Sequence, residues 1–183
     1  QIIGMGGSIL GAKAIYDFLK YKIKKKFLFV DNLQASQKVD KKNNFVNLII
    51  SKSGNTTETI VNANILIKKK DRNIFITENK DSYLHLLAKK LKAEIIHHNN
   101  YIGGRYSVLS EVGMLPSELM GLSSNKFKKF DKLICNKNFV DSLLTNVNSI
   151  FYLIKRKKTN SIILNYDDSS CTFFKWYQQL VAE

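Results

Sequence analysis

Apolar and polar residues alternate along this chain with two periods. Short apolar runs predict strands over residues 2–3, 27–30, 45–50, 73–77 and 94–97. Between them, apolar residues recur every three or four positions, which predicts helices over 9–21, 57–70 and 82–91. Ser8 stands where the first helix would take its N-cap. This alternation predicts an α/β fold: a doubly wound, parallel, five-stranded sheet with helices on both faces.

The second half of the chain changes in pattern. It predicts a helix over 108–122, a loop over 123–136, a long helix over 139–157, a strand over 161–165 and a helix from 172 onward. One strand and one helix cannot bury a sheet. We therefore predict a first domain over 1–122, a connecting loop and long helix over 123–158, and the beginning of a second α/β domain over 159–183. Because the first strand reads as the tail of a longer one, we expect the chain to be a fragment.

The charge pattern argues against nucleic acid as a partner. The formal net charge is +14, but only three of the 29 basic residues are arginine, the residue favoured for bidentate phosphate and base contacts. We therefore read the lysines as a dispersed, solvated surface. No apolar run approaches the roughly 20 residues that cross a bilayer, so a membrane partner is not predicted.

Cysteine and histidine usage indicates neither disulfides nor a metal site. Cys135 and Cys171 lie far apart and form no CxxC pair, which favours a reducing, cytoplasmic compartment. His85, His97 and His98 lack the spacing of metal ligands. No metal is predicted.

A glycine-rich turn, GMGGS over residues 4–8, joins the first strand to the first helix. Such a turn lets the backbone approach an anion at the start of a helix. A dinucleotide site is the rival interpretation, but its GxGxxG pattern requires glycine or alanine where this chain has Ile9. A tight turn without a ligand also stays open.

The stretch SKSGNTTET, residues 51–59, follows the third strand. In a sheet of order 2-1-3-4-5, strands 1 and 3 are neighbours, and ligands bind where their carboxyl ends diverge. The hydroxyl groups of this stretch and the glycine turn would then meet in one crevice. The sequence predicts a phosphate-binding loop there, with an ordinary polar N-cap as the alternative.

Two further stretches carry chemistry. In GGRYS, residues 103–107, Arg105 is one of three arginines in a chain that mostly uses lysine, and its planar guanidinium suits a phosphate or an enediolate. Gln179 and Glu183 lie four residues apart in the last helix and share one face. A structural salt bridge for Arg105 and a solvated helix-end carboxylate for Glu183 are the alternatives.

Together, GMGGS, SKSGNTTET, IGGRYSVLSEVG and the final QLVAE resemble the glucose-6-phosphate isomerase family, whose two halves are sugar-isomerase (SIS) domains with flavodoxin-like topology. The resemblance covers nearly the whole chain. It implies reversible aldose–ketose isomerisation of glucose 6-phosphate and fructose 6-phosphate through an enediolate. It also implies no cofactor, a homodimer and a cytoplasmic location.

The resemblance assigns a role to each matching position. Arg105 would stabilise the enediolate, and Glu183 would shuttle the proton between C2 and C1. The expected substrate- and phosphate-binding residues are Gly7, Ser8, Ser51, Lys52, Ser53, Thr56 and Gln179.

Some features depart from the family pattern. Gly54-Asn55 is closer to the wider SIS consensus, and Glu111 stands where the signature has a small residue or proline. The family's ring-opening histidine and late lysine would lie beyond Glu183, so these 183 residues are expected to be inactive alone. A non-catalytic sugar-phosphate sensor and a dual phosphoglucose/phosphomannose isomerase are the alternative functions.

Overall fold

The computed structural model describes residues 1–33 and 46–182. Its centre is a parallel sheet of five strands in the order β2-β1-β3-β4-β5. The strands are β1 Ile2–Ile3, β2 Phe29–Val30, β3 Val46–Ile50, β4 Arg72–Thr77 and β5 Glu94–His97. The predicted doubly wound order is confirmed, and its switch point lies between the carboxyl ends of β1 and β3.

Eight α-helices are assigned in the described ranges. They are α1 Leu10–Phe18, α2 Thr57–Leu66, α3 Tyr83–Leu91, α4 Glu111–Leu119, α5 Ser124–Phe127, α6 Asp131–Ile134, α7 Lys137–Lys155 and α8 Cys171–Ala182. Single turns of 3₁₀-helix occur at Gly6–Ser8, Lys20–Lys22 and Asp168–Ser170, and a longer one at Gly104–Leu109.

Helices cover both faces of the sheet, as predicted. Successive strand residues point to opposite faces, so Ile49 and Phe75 pack toward α2 and α3 while Leu48 and Ile50 pack toward α1 and α4. Strands buried on both sides read as continuous apolar runs rather than alternating ones. This explains why β3 and β4 are the clearest strands in the sequence.

The predicted N-cap at Ser8 is wrong. The glycine turn continues into the 3₁₀ turn Gly6–Ser8, and α1 begins one residue after Ile9, without a side-chain cap. The backbone N–H groups of Ser8 and Ile9 donate instead to the carbonyls of Met5 and Gly6. Ser8 therefore lies in the 3₁₀ turn before α1, and its side chain does not cap the helix.

The helix predicted over 108–122 begins later than expected. The 3₁₀ segment Gly104–Leu109 occupies its start, and α4 begins after Ser110, whose Oγ accepts a hydrogen bond from the Val112 amide. The loop predicted over 123–136 holds the two short helices α5 and α6. The long helix is confirmed as α7, starting and ending two residues earlier than predicted.

The strand predicted over 161–165 is wrong. These residues have no assigned secondary structure and are exposed, and no described strand pairs with them. A β-branched run forms a strand only when a neighbour takes up its backbone hydrogen bonds. The predicted division of the chain at residues 122 and 158 stays a prediction. No helix in the described ranges is long and apolar enough to span a membrane.

Helix α8 packs against α1, although about 150 residues separate them. The buried hydroxyl of Thr172 donates to Asp17 Oδ2 at 2.5 Å, close to the C-terminal end of α1. Further along α8, Trp176 Nε1 donates to the carbonyl of Arg105 at 3.1 Å. These contacts fix the direction of α8 and carry Gln179, one turn later, to the glycine turn.

We expect Thr172→Val to loosen α8. The change keeps the side-chain shape but leaves the Asp17 carboxylate without its donor, which typically costs about 1–3 kcal/mol. Amide hydrogen exchange in α8 should quicken while exchange in the central strands stays unchanged. The control is Thr145→Val, because the Thr145 hydroxyl on exposed α7 donates to the carbonyl of Asp141 within the same helix. Equal exchange in α8 for both variants would contradict the proposed anchor.

Candidate active site

A polar cleft of about 450 Å³ opens at the carboxyl edge of the sheet. Its walls come from the turns that follow β1, β3, β4 and β5, and from α8. The lining residues are Met5, Gly7, Ser8, Lys52, Ser53, Thr56, Glu78, Lys80, Gly103, Gly104, Arg105, Tyr106 and Gln179. An apolar groove of similar size lies between α1 and α8, but aromatic and aliphatic side chains dominate its lining, which includes no charged residue. The cleft is therefore the candidate site.

Gly7 brings two backbones into contact at the floor of the cleft. A Cβ at this position would lie 2.4 Å from the carbonyl carbon of Gly104 and 2.6 Å from the amide nitrogen of Arg105. Real Cβ atoms do not approach backbone so closely, so only glycine fits. The glycine turn after β1 and the GGRYS turn after β5 are thereby fixed against each other. Gly6 adopts a left-handed φ of +51°, and its Cα faces the amide of Gln179.

Ser51 lies beneath the cleft rather than in its lining. The residue is 1% exposed, and its Oγ lies 2.9 Å from Thr56 Oγ1 and accepts a bond from the Gly54 amide at 3.2 Å. These two contacts close the loop over residues 51–56. Ser51 thus shapes the loop, while the side chains of Ser53 and Thr56 line the cleft.

The predicted phosphate loop is also tied to the start of α3. The Asn55 side-chain oxygen accepts a bond from the Tyr83 amide at 2.9 Å, and the carbonyl of Gly54 accepts one from Leu84. Gly54 has φ +67°, and a Cβ there would lie 2.2 Å from Ser82 Oγ. Gly54-Asn55, noted above as a departure from the family pattern, therefore docks the loop on its neighbour.

Helix α2 begins at the cleft without a side-chain cap. Thr56, its N-cap residue, directs its hydroxyl to Ser51 rather than to the helix amides. The interpretation of this loop as an ordinary N-cap is therefore wrong. Uncapped amides and the positive end of the helix dipole attract anions.

Arg105 sits on a turn held by several hydrogen bonds. Ser107 Oγ donates to the carbonyl of Gly104 at 2.6 Å, and Ser110 Oγ donates to that of Ser107 at 2.7 Å. The Arg105 guanidinium lies 5.8 Å from the centre of the Tyr106 ring. With Trp176 bound to the Arg105 carbonyl, the backbone of this arginine is fixed from both sides.

Glu111 has a role that the sequence did not reveal. It contacts the Nδ1 atom of His98, which is buried at the carboxyl end of β5. The contact joins the last strand to the first turn of α4 across the GGRYS segment. Both residues were noted in the sequence, but only the fold brings them together.

Glu78 and Lys80 are cleft residues that the sequence analysis missed. Glu78 directly follows β4, and its carboxylate contacts the ammonium groups of Lys80 and, at 3.5 Å, Lys52. The hydrogen bond from Lys80 is the main cause that lowers the pKa of Glu78 below its ordinary value, and the charge of Lys52 adds to the effect. The signal available in the sequence was the position of Glu78 at the end of the strand beside the phosphate loop.

Most of the predicted site residues meet in the cleft. Its lining includes Gly7, Ser8, Lys52, Ser53, Thr56, Arg105 and Gln179. Glu183 lies outside the described residues, and its role stays a prediction. Among the described residues, no group of His, Cys, Asp and Glu is placed to hold a metal ion.

Comparison with known proteins shows the family to which the chain belongs. A sequence model of phosphoglucose isomerase matches residues 2–183. The chain belongs to the phosphoglucose isomerase family. The family expectation drawn from the four sequence motifs is therefore confirmed, although the roles of individual residues stay predictions.

Similar proteins include the glucose-6-phosphate isomerases of Methanocaldococcus jannaschii and Acholeplasma laidlawii, which are 35% and 33% identical over the whole chain. The chain spans about half the length of these relatives, 49% in both cases. A crystal structure of a hypothetical protein from Thermus thermophilus has the same fold, with a TM-score of 0.77 at 22% identity. The match covers 98% of this chain and 47% of the other.

We expect Gly7→Ala to disrupt the cleft. The new methyl group must push the GGRYS turn away, and overpacking of this kind costs about 1–3 kcal/mol. The matched control is Gly104→Ala on the other side of the contact, because a Cβ there meets nothing within 4 Å. Urea unfolding should show the loss of stability for Gly7→Ala only. Equal unfolding free energies for the two variants would contradict the steric role of Gly7.

Proposed function

We propose that this chain supplies the phosphate-binding and enediolate-binding parts of a glucose-6-phosphate isomerase. In this reaction the enzyme interconverts glucose 6-phosphate and fructose 6-phosphate. The observation that carries the proposal is the convergence of the phosphate loop, Arg105 and Gln179 in one cleft. Membership of the phosphoglucose isomerase family supports the same reaction.

The phosphate group of the substrate would bind at the start of α2. Ser53 and Thr56 present hydroxyl groups there, and Lys52 adds a positive charge. The amides of the first turn of α2 would donate to phosphate oxygens, as at other helix N-termini. Ser51, buried below, would hold the hydroxyl of Thr56 in place.

The reaction itself needs a base and a fixed positive charge. Glu183 would remove the proton from C2 of the open-chain aldose, and negative charge would then develop on the C1 oxygen. Arg105 would stabilise this enediolate, because its backbone is fixed before the substrate binds. Transfer of the hydroxyl proton from O2 to O1, and return of the proton from Glu183 to C1, would give the ketose. Gln179, four residues before Glu183 on the same helix, would contact the substrate between them.

A sugar-phosphate sensor needs the phosphate loop alone. The close contact of the GGRYS turn with the glycine turn, which brings Arg105 to the same cleft, favours catalysis over sensing.

With the isomerase function we also propose a homodimer, a cytoplasmic location, and no nucleic-acid or membrane partner. These proposals follow from the family resemblance and the composition. Cys135 and Cys171 are both free thiols, which fits a reducing compartment.

In the full-length protein, Glu183→Gln should lower kcat about 10²- to 10⁴-fold, the usual contribution of a general base. The dissociation constant for fructose 6-phosphate should change little, because glutamine keeps the size of the side chain. Coupled assay of isomerisation and calorimetric titration measure the two effects. Glu94→Gln, an exposed change at the amino end of β5, is the control. Wild-type turnover by Glu183→Gln would refute the assignment of the base.

Arg105→Lys should lower kcat by at least about tenfold and KM much less. Lysine keeps the charge but loses the planar pair of donors that would face the enediolate. Arg156→Lys, at the exposed end of α7, is the matched control and should behave as wild type. An effect of Arg105→Lys confined to KM would mean that Arg105 binds substrate and transition state equally.

A further inference from the structure

One buried carboxylate connects two lysines of the cleft. The side chain of Glu78 is 9% exposed, and its two oxygens face different ammonium groups: Oε1 lies 3.5 Å from Lys52 Nζ, and Oε2 contacts Lys80 Nζ. All three residues line the cleft. A buried carboxylate is stable only when it is paired and hydrogen-bonded, so the two lysines are what allow Glu78 to remain charged there.

The backbone holds the same three residues together. The Glu78 amide donates to the carbonyl of Lys52 at 3.1 Å, and the Lys80 amide donates to that of Glu78 at 2.9 Å. The Lys52 ammonium is also fixed by a bond of 3.0 Å to the carbonyl of Asn100. Lys80 is therefore linked to the phosphate loop through Glu78 by both backbone and side chain.

The charge of this cluster fits an anionic ligand. Two ammonium groups and one carboxylate leave a net positive charge, while a phosphate monoester carries about −1.5 to −2 at pH 7. The Lys80 side chain remains 50% exposed although it is paired, so its ammonium can still meet a ligand. A lone lysine on a flexible four-carbon stem would lose more conformational freedom on binding than one already held by Glu78.

We propose that Lys80 is a further substrate-binding residue of the cleft, which contacts the phosphate ester together with Lys52, and that Glu78 is the positioning residue for both ammonium groups. The proposal rests on the function proposed for the cleft. It adds a cation from the turn after β4 to a phosphate site otherwise built from the loop after β3.

The test uses the full-length protein with inorganic phosphate and fructose 6-phosphate as probes. Lys80→Ala should raise the dissociation constant for phosphate and the KM for fructose 6-phosphate about fivefold each, in line with the loss of one charge-assisted contact. The value of kcat should change less than twofold, because the contact is present in both ground state and transition state. Lys80→Arg keeps the charge and should stay within about twofold of wild type in both constants.

Lys90→Ala is the matched control, since it removes the same charge from an exposed position in the last turn of α3. Equal phosphate affinities for Lys80→Ala and Lys90→Ala would overturn the proposal while leaving the isomerase function intact. A wild-type protein that binds phosphate through Lys80 but does not isomerise hexose phosphates would refute the proposed function and leave the binding role of Lys80 standing.

Glu78→Gln distinguishes two effects of Glu78: positioning of the two lysines, and repulsion of the phosphate by its negative charge. If Glu78 positions the lysines, the variant should weaken phosphate binding about threefold, and this loss should shrink in the Lys80→Ala background because the two residues act as a unit. If Glu78 merely repels the phosphate, Glu78→Gln should strengthen binding instead. Tighter phosphate binding, or full additivity of the two changes, would overturn the positioning role.

Discussion

The cleft depends on the contact of two backbones at Gly7. Because no side chain fits between Gly7 and the Gly104–Arg105 peptide, the turn after β1 and the turn after β5 meet directly. Parallel pairing of β1 with β3 then places the phosphate loop on the other side of the glycine turn. Three segments far apart in sequence thus share one edge of the sheet and line one cleft.

The packing of α8 positions the residues proposed to act on the substrate relative to this contact at Gly7. Helix α8 bonds to α1 through Thr172 and to the GGRYS turn through Trp176, so the same helix that carries Gln179 also contacts the backbone of Arg105. The contact of His98 with Glu111 braces the same turn from the side of α4. In the role proposed for Arg105, a backbone fixed in advance lowers the reorganisation needed when charge develops, which is the basis of electrostatic catalysis.

Sequence patterns predicted the features that depend on the spacing of apolar residues and on the order of the strands in the sheet. Buried runs marked the strands, and the switch-point rule predicted that the glycine turn and the SKSGNTTET loop meet in one cleft. Failures occurred where the outcome depends on a distant neighbour. Residues 161–165 have strand composition, but no described strand pairs with them, and Ser8 lost its capping role to backbone bonds within the glycine turn. Glu78 and Lys80 escaped notice because their relation to Lys52 exists only after β4 pairs with β3.

Among the described ion pairs, Glu78 is the one buried carboxylate that contacts two lysines, and it lies beside the predicted phosphate loop. The electrostatics of the cleft explain this position. Two unpaired ammonium groups side by side would repel each other and disfavour the folded loop before any ligand arrived. Glu78 relieves that repulsion, and the hydrogen bond from Lys80, with the charge of Lys52, lowers the pKa of Glu78 in return. Lys52, Lys80 and Arg105 all line the cleft; the role proposed for the lysines needs only a point charge, whereas the role proposed for Arg105 needs a planar set of donors. The type of cation at each position therefore matches the role proposed for it.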